Sequence, residues 1–249
     1  MAHKIIVDKK LFIFDTMDEM NDFVLCMWNK IGKESIAGKG RFTVALSGGH
    51  TPIIFYRKLG ESCNPALWSK TDIFFVDERF VPHSSIYSNY KIIKENILDR
   101  IKKTVGSINP VPTEEPTPKK SAEKYEKILA GFFRLPNGKP PGFDFILLGM
   151  GEDGHTASLF PKSTSLEEKK RLVITTRKKG MPLVERISLT FPVINNGKNL
   201  VFLITGKEKA KTLKNVIEKP GCRLPAALVN PAKGVLYFLI DRQAGSLLL

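Results

Sequence analysis

Five short apolar segments, each followed by glycines or charged residues, are the feature that most restricts what this chain can fold into. They are Phe42–Leu46, Asp72–Val76, Phe143–Leu148, Leu200–Ile204 and Val235–Ile240. Their side chains are apolar almost without alternation, as expected for strands covered by helices on both faces of a parallel sheet. Segments with helical character alternate with them: Met17–Ile31, preceded by Thr16 and Glu19 at capping-box spacing, Ser88 to about Ile101, Ala122–Leu135 and Lys207–Ile217. Two further strands are predicted at Leu172–Thr175 and Ile187–Thr190. The alternation predicts an α/β fold with an open, mostly parallel sheet.

The chain shows no boundary that would divide it. It has 249 residues, within the range of one large domain, with neither an internal repeat nor a clear linker. We therefore expect a single domain over residues 1–249. The N-terminal stretch carries lysines and acids where a signal peptide has its apolar region, and no apolar run approaches the roughly 20 residues that cross a bilayer. Together with three widely spaced cysteines, these features predict a cytoplasmic protein without a membrane segment.

The net charge of +14, from 39 basic and 25 acidic residues, leaves three kinds of partner open. Nucleic acid, an anionic membrane surface and a small anionic substrate would all be attracted by a positive field. The basic residues come mostly in short doublets, without a basic tail, a Cys/His finger or an aromatic RNA-binding signature. A solvated basic surface is the simplest interpretation. Nucleic-acid binding is kept as the most remote alternative.

The residues after each strand matter most, because ligands of open α/β sheets bind at the carboxyl ends of the strands. After Phe42–Leu46, residues 47–52 read SGGHTP. The two glycines allow a ligand close to the backbone, Ser47 and Thr51 offer hydroxyls, and the following helix start offers free N–H groups. This combination suits a phosphate, although it is neither a Walker nor a dinucleotide-binding motif. The alternative is an ordinary glycine turn before a helix.

A charged triplet follows the next apolar segment. Asp77, Glu78 and Arg79 come directly after Asp72–Val76. They form either part of a site for a polar substrate or a structural ion pair. Arg79 is the most interesting of the three, because a planar guanidinium suits a phosphate or a developing oxyanion.

Two further cations are candidates for the same site, and Lys209 could point over the strand ends towards a phosphate. Lys209 lies in the first turn of the helix that follows Leu200–Ile204, and Arg186 lies just before the predicted strand Ile187–Thr190. Lysines on a helix usually face water, so the alternative for Lys209 is an exposed surface residue.

The segment after Phe143–Leu148 carries the strongest candidate for catalysis. Residues 149–156 read GMGEDGHT, so a histidine stands two residues after a carboxylate in a glycine-rich turn. Histidine is the most common general base near neutral pH, and Asp153 is placed to orient His155 or to stabilise its charged form. A histidine that only hydrogen-bonds a loop is the alternative. Because no HExxH pattern, metal-spaced cluster or nucleotide fingerprint occurs, we expect neither a metal nor a cofactor.

Together these motifs resemble the 6-phosphogluconolactonase family of the glucosamine-6-phosphate isomerase-like superfamily. The resemblance is carried by VALSGGHTP, FFVDERFVP with a later SNY, ILLGMGEDGHTASLFP, RISLTFPVIN, LITGKEKA and LPAALVNPAKGVLYFLID, in that order between Phe42 and Asp241. It implies a Rossmann-like α/β fold of the glucosamine-6-phosphate deaminase/ribose-5-phosphate isomerase type. It also implies hydrolysis of 6-phospho-D-glucono-1,5-lactone to 6-phosphogluconate, in the oxidative pentose phosphate pathway, without a metal or cofactor.

The resemblance also implies roles for individual residues. It assigns the phosphate loop to Ser47, Gly48, Gly49 and Thr51, and further substrate-binding contacts to Asp77, Arg186 and Lys209. Arg79 matches the arginine of the DER motif, and His155 matches the catalytic histidine. We hypothesise that His155 activates a water for attack on the lactone carbonyl and that Arg79 stabilises the oxyanion. Asp153 would orient His155 or balance its charge.

Two positions depart from the family pattern. Relatives often carry acidic residues between VP and SN, whereas His83–Tyr87 contains no carboxylate. His50 stands where many relatives have serine. What these positions do in sugar or phosphate binding is left open.

The nearest alternative is a sugar-phosphate isomerase or deaminase of the same superfamily, such as glucosamine-6-phosphate deaminase. That family shares the SGGxTP-like loop and a DGH motif. It usually continues DGH with IAFNEP-like residues, and it has an aromatic residue in place of the DER arginine. HTASLFP and DER therefore favour the lactonase. The expected partner is a phosphorylated sugar lactone, neither nucleic acid nor membrane is expected, and monomer and small homo-oligomer both stay open.

Overall fold

A computed structural model describes residues 2–6, 9–62, 64–101, 105–136, 139–177 and 180–248. Its strands form one large and one small sheet. The large sheet consists of β1 (Ala2–Ile6), β2 (Lys9–Phe14), β3 (Phe42–Leu46), β4 (Thr71–Phe75), β6 (Ser107–Asn109), β7 (Phe145–Leu148), β10 (Asn199–Ile204) and β11 (Val235–Asp241).

The large sheet has the strand order β1-β2-β11-β10-β7-β3-β4-β6. Only β1, at one edge, runs antiparallel to its neighbour, and the other pairings are parallel. The five apolar segments predicted as strands are β3, β4, β7, β10 and β11, with bounds that differ from the prediction by at most two residues. The predicted open, mostly parallel α/β sheet is therefore confirmed.

The small sheet is antiparallel and was not separated from the large one by the sequence pattern. It contains β5 (Asp77–Arg79), β8 (Val173–Thr176) and β9 (Arg186–Leu189) in the order β5-β9-β8. The predicted strands Leu172–Thr175 and Ile187–Thr190 are β8 and β9. Among the described residues no helix lies between these two strands. They therefore pair as antiparallel neighbours, since a parallel pair would need a crossover connection.

Helices follow most strands of the large sheet. They are α1 (Met17–Lys39), α2 (Ile53–Glu61), α3 (Pro65–Trp68), α4 (Asn89–Ile93), α5 (Pro118–Phe133), α6 (Phe191–Ile194), α7 (Ala210–Glu218) and α8 (Pro225–Leu228). The predicted cap of α1 is present, because Thr16 Oγ1 accepts a hydrogen bond from the Glu19 N–H at 3.2 Å. The Glu19 carboxylate accepts in return from the N–H of Asp15, one residue before the capping threonine.

Two predicted helices differ from the structure in their geometry. The helix predicted from Ser88 to Ile101 begins at its serine cap, but beyond Ile93 it continues as a π-helix over Lys94–Leu98. The helix predicted at Lys207–Ile217 opens with a 3₁₀ turn, Lys207–Lys209, before α7 begins. That turn is what brings Lys209 towards the strand ends.

Helices cover both faces of the large sheet. Trp28 of α1 packs edge-on against Phe42 of β3, with ring centroids 4.9 Å apart. Phe132 of α5 packs against Phe74 of β4, also at 4.9 Å. Phe74 pairs with Ala45, three residues from Phe42, and side chains alternate between the two faces of a sheet. The contacts of α1 and α5 therefore lie on opposite faces. No helix among the described residues is long and apolar enough to span a membrane.

Candidate active site

The loops that follow β3, β4, β7 and β10 meet at one edge of the large sheet. These strands are neighbours in the order β10-β7-β3-β4 and run parallel, so their carboxyl ends lie side by side. The loops enclose a cleft of about 170 Å³. The predicted site residues that line it are Ser47, Gly48, Gly49, Thr51, Asp77, Arg79, His155, Arg186 and Lys209. The remaining one, Asp153, does not line the cleft but contacts His155.

The loop after β3 is held in place by the hydroxyl groups at its base. Ser47 Oγ donates a hydrogen bond to Leu147 O of β7 at 2.7 Å, and Tyr56 OH donates to Ser47 O. Thr51 Oγ1 lies 3.3 Å from Thr205 Oγ1, which joins this loop to the one after β10. The proton of Ser47 is therefore directed to the sheet, and its hydroxyl can only accept a hydrogen bond from a ligand.

The two glycines of this loop differ in what surrounds them. A Cβ at Gly48 would lie 1.8 Å from Asn89 Oδ1, so the side chain of Asn89 fills the space where a larger residue would project. Gly49 has φ +99°, a conformation that favours glycine, and nothing lies within 4 Å of the position of a Cβ there. Its backbone is thus open to a ligand in the cleft.

Asn89 at the start of α4 also fixes the carboxylate of Asp77. Its Nδ2 donates to Asp77 O at 2.9 Å and to Asp77 Oδ1 at 3.4 Å. Since both partners are acceptors, the amide orientation is determined, and Oδ1 must face the Gly48 side. That oxygen is buried and has no hydrogen-bond partner among the described residues. Ser158 Oγ donates to the other carboxylate oxygen of Asp77 at 2.6 Å.

The DER triplet divides between the two faces of β5. Asp77 and Arg79 point to the cleft, whereas Glu78 points away, as alternation in a strand requires. The Glu78 carboxylate accepts four hydrogen bonds, from the hydroxyl of Ser88 and from the N–H groups of Arg79, Asn89 and Tyr90. Burial raises the pKa of Glu78 to about 7, and these donors oppose the shift. Glu78 therefore anchors the start of α4.

Arg79 and Arg186 form a like-charged pair beside the cleft. They are directly opposite each other on β5 and β9, a placement that is unfavourable for equal charges. Arg79 donates to Tyr87 O at 2.7 Å, and Arg186 donates to Met181 O at 3.3 Å. The Nε of each arginine is buried without a partner in the described part of the chain. Burial lowers the pKa of Arg186; nearby Asp77 raises it, and Arg79 lowers it further.

Lys209 adds a third cation to the cleft. It lies in the 3₁₀ turn after β10, is half-buried, and forms no ion pair within the described ranges. Burial lowers the pKa of Lys209, and the carboxylates of Glu208, Glu152 and Asp241 oppose this shift in part. Among the described residues, three cations and one carboxylate line the cleft, which favours an anionic ligand.

The turn after β7 presents the imidazole of His155. Its Nδ1 lies 2.6 Å from Asp153 Oδ1, which also accepts from the His155 N–H at 3.1 Å. A Cβ at Gly151 would lie 2.1 Å from Nδ1 of the ring, so glycine there makes room for the ring. Phe160 packs against the other side, with ring centroids 4.7 Å apart. The ring is held at Nδ1, which leaves Nε2 as its reactive nitrogen.

Sequence reasoning missed Asn89 as a residue of the cleft and left His50 without a role. Both line it, and His50 is exposed. The letters SNY after the DER strand were the available signal for Asn89, but its contact with Asp77 is a tertiary one. His83, the other departure from the family pattern, lies elsewhere, stacked on Tyr90 at 4.5 Å and bonded to Val111 O. No group of three or more potential metal ligands occurs among the described residues.

Comparison with known proteins identifies the family. The sequence profile described as glucosamine-6-phosphate isomerases/6-phosphogluconolactonase matches residues 16–238. The chain belongs to this family. A member from Synechocystis, named 6-phosphogluconolactonase, is 38% identical over 224 residues, which cover 89% of this chain and 90% of that protein. The rat protein of the same name is 34% identical over 217 residues, which cover 84% of this chain and 82% of the rat protein.

Solved structures of the family have the same fold. The 6-phosphogluconolactonase from Trypanosoma cruzi superimposes with a TM-score of 0.86 at 28% identity, over 99% of this chain and 98% of that chain. The enzyme of this name from Thermotoga maritima gives a TM-score of 0.80 at 32% identity, over 93% and 98%. The Rossmann-like α/β fold implied by the motifs is therefore confirmed.

Proposed function

We propose that this protein hydrolyses 6-phospho-D-glucono-1,5-lactone to 6-phospho-D-gluconate. The observation that carries the proposal is the His155–Asp153 pair, joined at 2.6 Å, beside a cleft with three cations and one carboxylate. The imidazole supplies a base at Nε2. The cations would bind the phosphate of a sugar whose lactone ring is itself uncharged. The names of the relatives support the same substrate. With it comes the expectation of a cytoplasmic monomer or small homo-oligomer that does not act on nucleic acid.

Binding would use the two sides of the cleft differently. Lys209 and the backbone N–H groups of Gly48, Gly49 and Thr51 would hold the phosphate, because an ammonium and successive N–H groups suit its oxygens. Ser47 would contribute its backbone rather than a donated proton, since its hydroxyl bonds β7. Arg186 would add positive charge on the side of β9.

The chemistry would begin with a water between His155 Nε2 and the lactone carbonyl carbon. Nε2 takes a proton from the water as its oxygen bonds to that carbon, and the carbonyl oxygen becomes an oxyanion. Arg79, half-buried in the cleft wall, would stabilise that charge. When the tetrahedral intermediate collapses, the bond to the ring oxygen breaks and His155 returns the proton to that oxygen. The new carboxyl group then ionises to give 6-phosphogluconate.

Asp153 would act through His155. Its carboxylate accepts a hydrogen bond from Nδ1–H and so fixes the tautomer in which Nε2 is unprotonated. It also balances the charge of the imidazolium that forms during attack. Asn89 would position Asp77 and Gly48, and so the floor of the cleft, without taking part in proton transfer.

The test is a coupled assay on freshly generated lactone, with the spontaneous rate measured in the same buffer and subtracted. In parallel, ammonia release is measured from glucosamine 6-phosphate. Lactone hydrolysis well above the spontaneous rate, without ammonia release, is the expected result. Ammonia release without accelerated lactone hydrolysis would instead assign the chain to the deaminase branch of the family.

A further inference from the structure

A second concave surface lies behind the turn that carries His155. It is an open groove of about 1190 Å³, between the segment after Phe160 and the segment from the end of α7 to α8. We call it the α7–α8 groove. Its lining includes Lys162, Lys169, Lys219, Arg223, Leu224 and Leu228. None of them lines the catalytic cleft.

The charges of the α7–α8 groove are unbalanced. In the part of the chain that the structure describes, four cations and one carboxylate, Glu167, line it. None of the four cations forms an ion pair within the described ranges. Elsewhere on the surface, Lys94 and Lys124 lie 2.7 and 2.6 Å from a carboxylate. Four cations that face one groove with a single carboxylate repel each other and attract an anion with several negative charges.

The floor of the groove is apolar. Leu166, Leu224 and Leu228 line it and are only partly buried, although each packs against the core. Inorganic phosphate would leave these side chains wet, whereas a ligand with a flat apolar body would cover them. We infer that the α7–α8 groove binds an organic polyphosphate with an aromatic body, the chemistry of a nucleoside triphosphate, with the phosphates on Lys219 and Arg223 and the base on the leucines.

The groove is connected to the catalytic turn by direct contacts. Leu224 packs on Gly154, whose added Cβ would lie 3.0 Å from its Cδ1. The N–H of Ala226 donates to Gly154 O at 3.0 Å, and Thr212 Oγ1 donates to Glu152 O at 2.6 Å. Gly154 has φ +81° and immediately precedes His155. A ligand seated on Leu224 and Arg223 therefore presses on the residue that sets the position of the imidazole.

Binding is tested by calorimetry with magnesium-free ATP as the probe, at fixed ionic strength. Saturable binding is expected, at least tenfold weaker in the double variant Lys219→Ala/Arg223→Ala. The matched control is Lys119→Ala/Lys120→Ala, which removes the same charge from an exposed helix start and should bind like the wild type. Equal loss in both double variants would mean a diffuse positive field and would overturn the site, as would an absence of saturable heat.

Two further arms separate the sources of binding. Tripolyphosphate should bind at least tenfold more weakly than ATP, because it cannot cover the leucines; equal affinity would overturn the aromatic part of the assignment. Excess 6-phosphogluconate should change the Kd for ATP by no more than the limited factor that coupling between two sites allows. An apparent Kd that keeps rising in proportion to the 6-phosphogluconate concentration would place ATP in the catalytic cleft and overturn the groove site.

The effect on activity rests on the proposed function, whereas the binding experiments do not. Saturating ATP is expected to change kcat/KM for the lactone by about fivefold or more, the lower range of measured couplings between sites. The change should disappear in Lys219→Ala/Arg223→Ala. Binding without any change in rate would refute the coupling, while a wild type with no lactonase activity would fail the proposed function and leave the calorimetric result intact.

Discussion

Replacing Arg186 with methionine should leave the free protein about as stable as the wild type, yet weaken binding of phosphorylated sugars. Arg186 is 4% exposed, its Nε has no partner among the described residues, and Arg79 lies opposite it on the neighbouring strand. Such a cation is expected where binding takes precedence over stability. Methionine is of similar length and keeps a favourable contact with the ring of Phe160.

The magnitude follows from opposing contributions. Removing the unpartnered buried Nε–H of Arg186 should stabilise the folded state by about 1–3 kcal/mol. Removing its repulsion with Arg79 on the neighbouring strand adds about 0.2–1 kcal/mol. Against this, the guanidinium lies 5.7 Å from the Phe160 ring, a contact of about 0.5–2 kcal/mol. Its hydrogen bonds to Met181 O and Pro182 O are long, at 3.3 and 3.4 Å. The variant also loses the attraction between Arg186 and Asp77. These contributions nearly cancel, so the expected change in unfolding free energy is less than about 1 kcal/mol.

The assay is urea unfolding followed by the fluorescence of the buried Trp28 and Trp68, with and without 6-phosphogluconate. Ligand at a hundred times its Kd should stabilise the wild type by about 2.7 kcal/mol, and the variant far less at the same concentration. Arg41→Met is the matched control, since Arg41 stacks on Phe132 and pairs with Asp72 outside the cleft. The control should keep the full ligand effect. An Arg186→Met protein destabilised by more than about 1 kcal/mol without ligand, or stabilised by ligand like the wild type, would refute the reasoning.

Three further predictions follow from the site and the sheet. Lys209→Ala should weaken 6-phosphogluconate binding about ten- to hundredfold, the loss of one charge-assisted hydrogen bond, whereas Lys207→Ala, which alters an exposed lysine of the same turn, should not. Because burial lowers the pKa of Lys209, its ammonium loses its proton at lower pH than an ordinary lysine. The affinity for 6-phosphogluconate should therefore fall as the pH rises towards 10 in the wild type but not in Lys209→Arg. The same dependence of affinity on pH in both proteins would contradict this. Gly48→Ala and Asn89→Ala should each weaken binding, but less than additively when combined, because the three atoms nearest to the added methyl group all belong to Asn89. Strict additivity would exclude that contact. Asp144→Asn should cost about 2 kcal/mol of unfolding free energy, since this buried carboxylate bonds Thr43, Lys39 and Lys198. Burial alone would raise the pKa of Asp144, but the hydrogen bonds from Lys39 and Thr43 outweigh it and lower the pKa. This contribution to stability is therefore present above the ordinary carboxyl range and is lost as the pH falls through the lowered pKa. A variant whose unfolding free energy depends on acid pH as in the wild type would count against it.

The strands that could be predicted are those with a continuous apolar run, which is visible in the sequence without knowledge of the neighbouring strand. β3 was predicted at its observed bounds, because FTVAL is covered on both faces. β5 and β6 have only three residues each, DER and SIN, with no apolar run. Their strand conformation comes from pairing with β9 and β4, which is tertiary information. Two strands of the small sheet, β8 and β9, were predicted, but their pairing with each other and with β5 in a separate sheet was not, because that pairing is tertiary information as well.

The site could be predicted to the extent that it lies at strand ends. Parallel strands bring their carboxyl ends together whatever their separation in sequence, so Lys209 and Gly49 line one cleft although 160 positions separate them. The directions of side chains were not accessible in this way. Ser47 Oγ turns to β7, and Glu78 turns to α4, because each has a partner that the local sequence does not reveal.

The measurement that tests the central claim most directly is the rate of lactone hydrolysis by the wild type and by His155→Ala, corrected for spontaneous hydrolysis in the same buffer. Loss of a general base should lower kcat by about 10²–10⁴-fold with little change in KM. Asp153→Asn, measured alongside, should lower kcat and alter its pH profile, because the imidazole would lose the partner that sets its tautomer. A His155→Ala protein that retains full turnover would contradict the account.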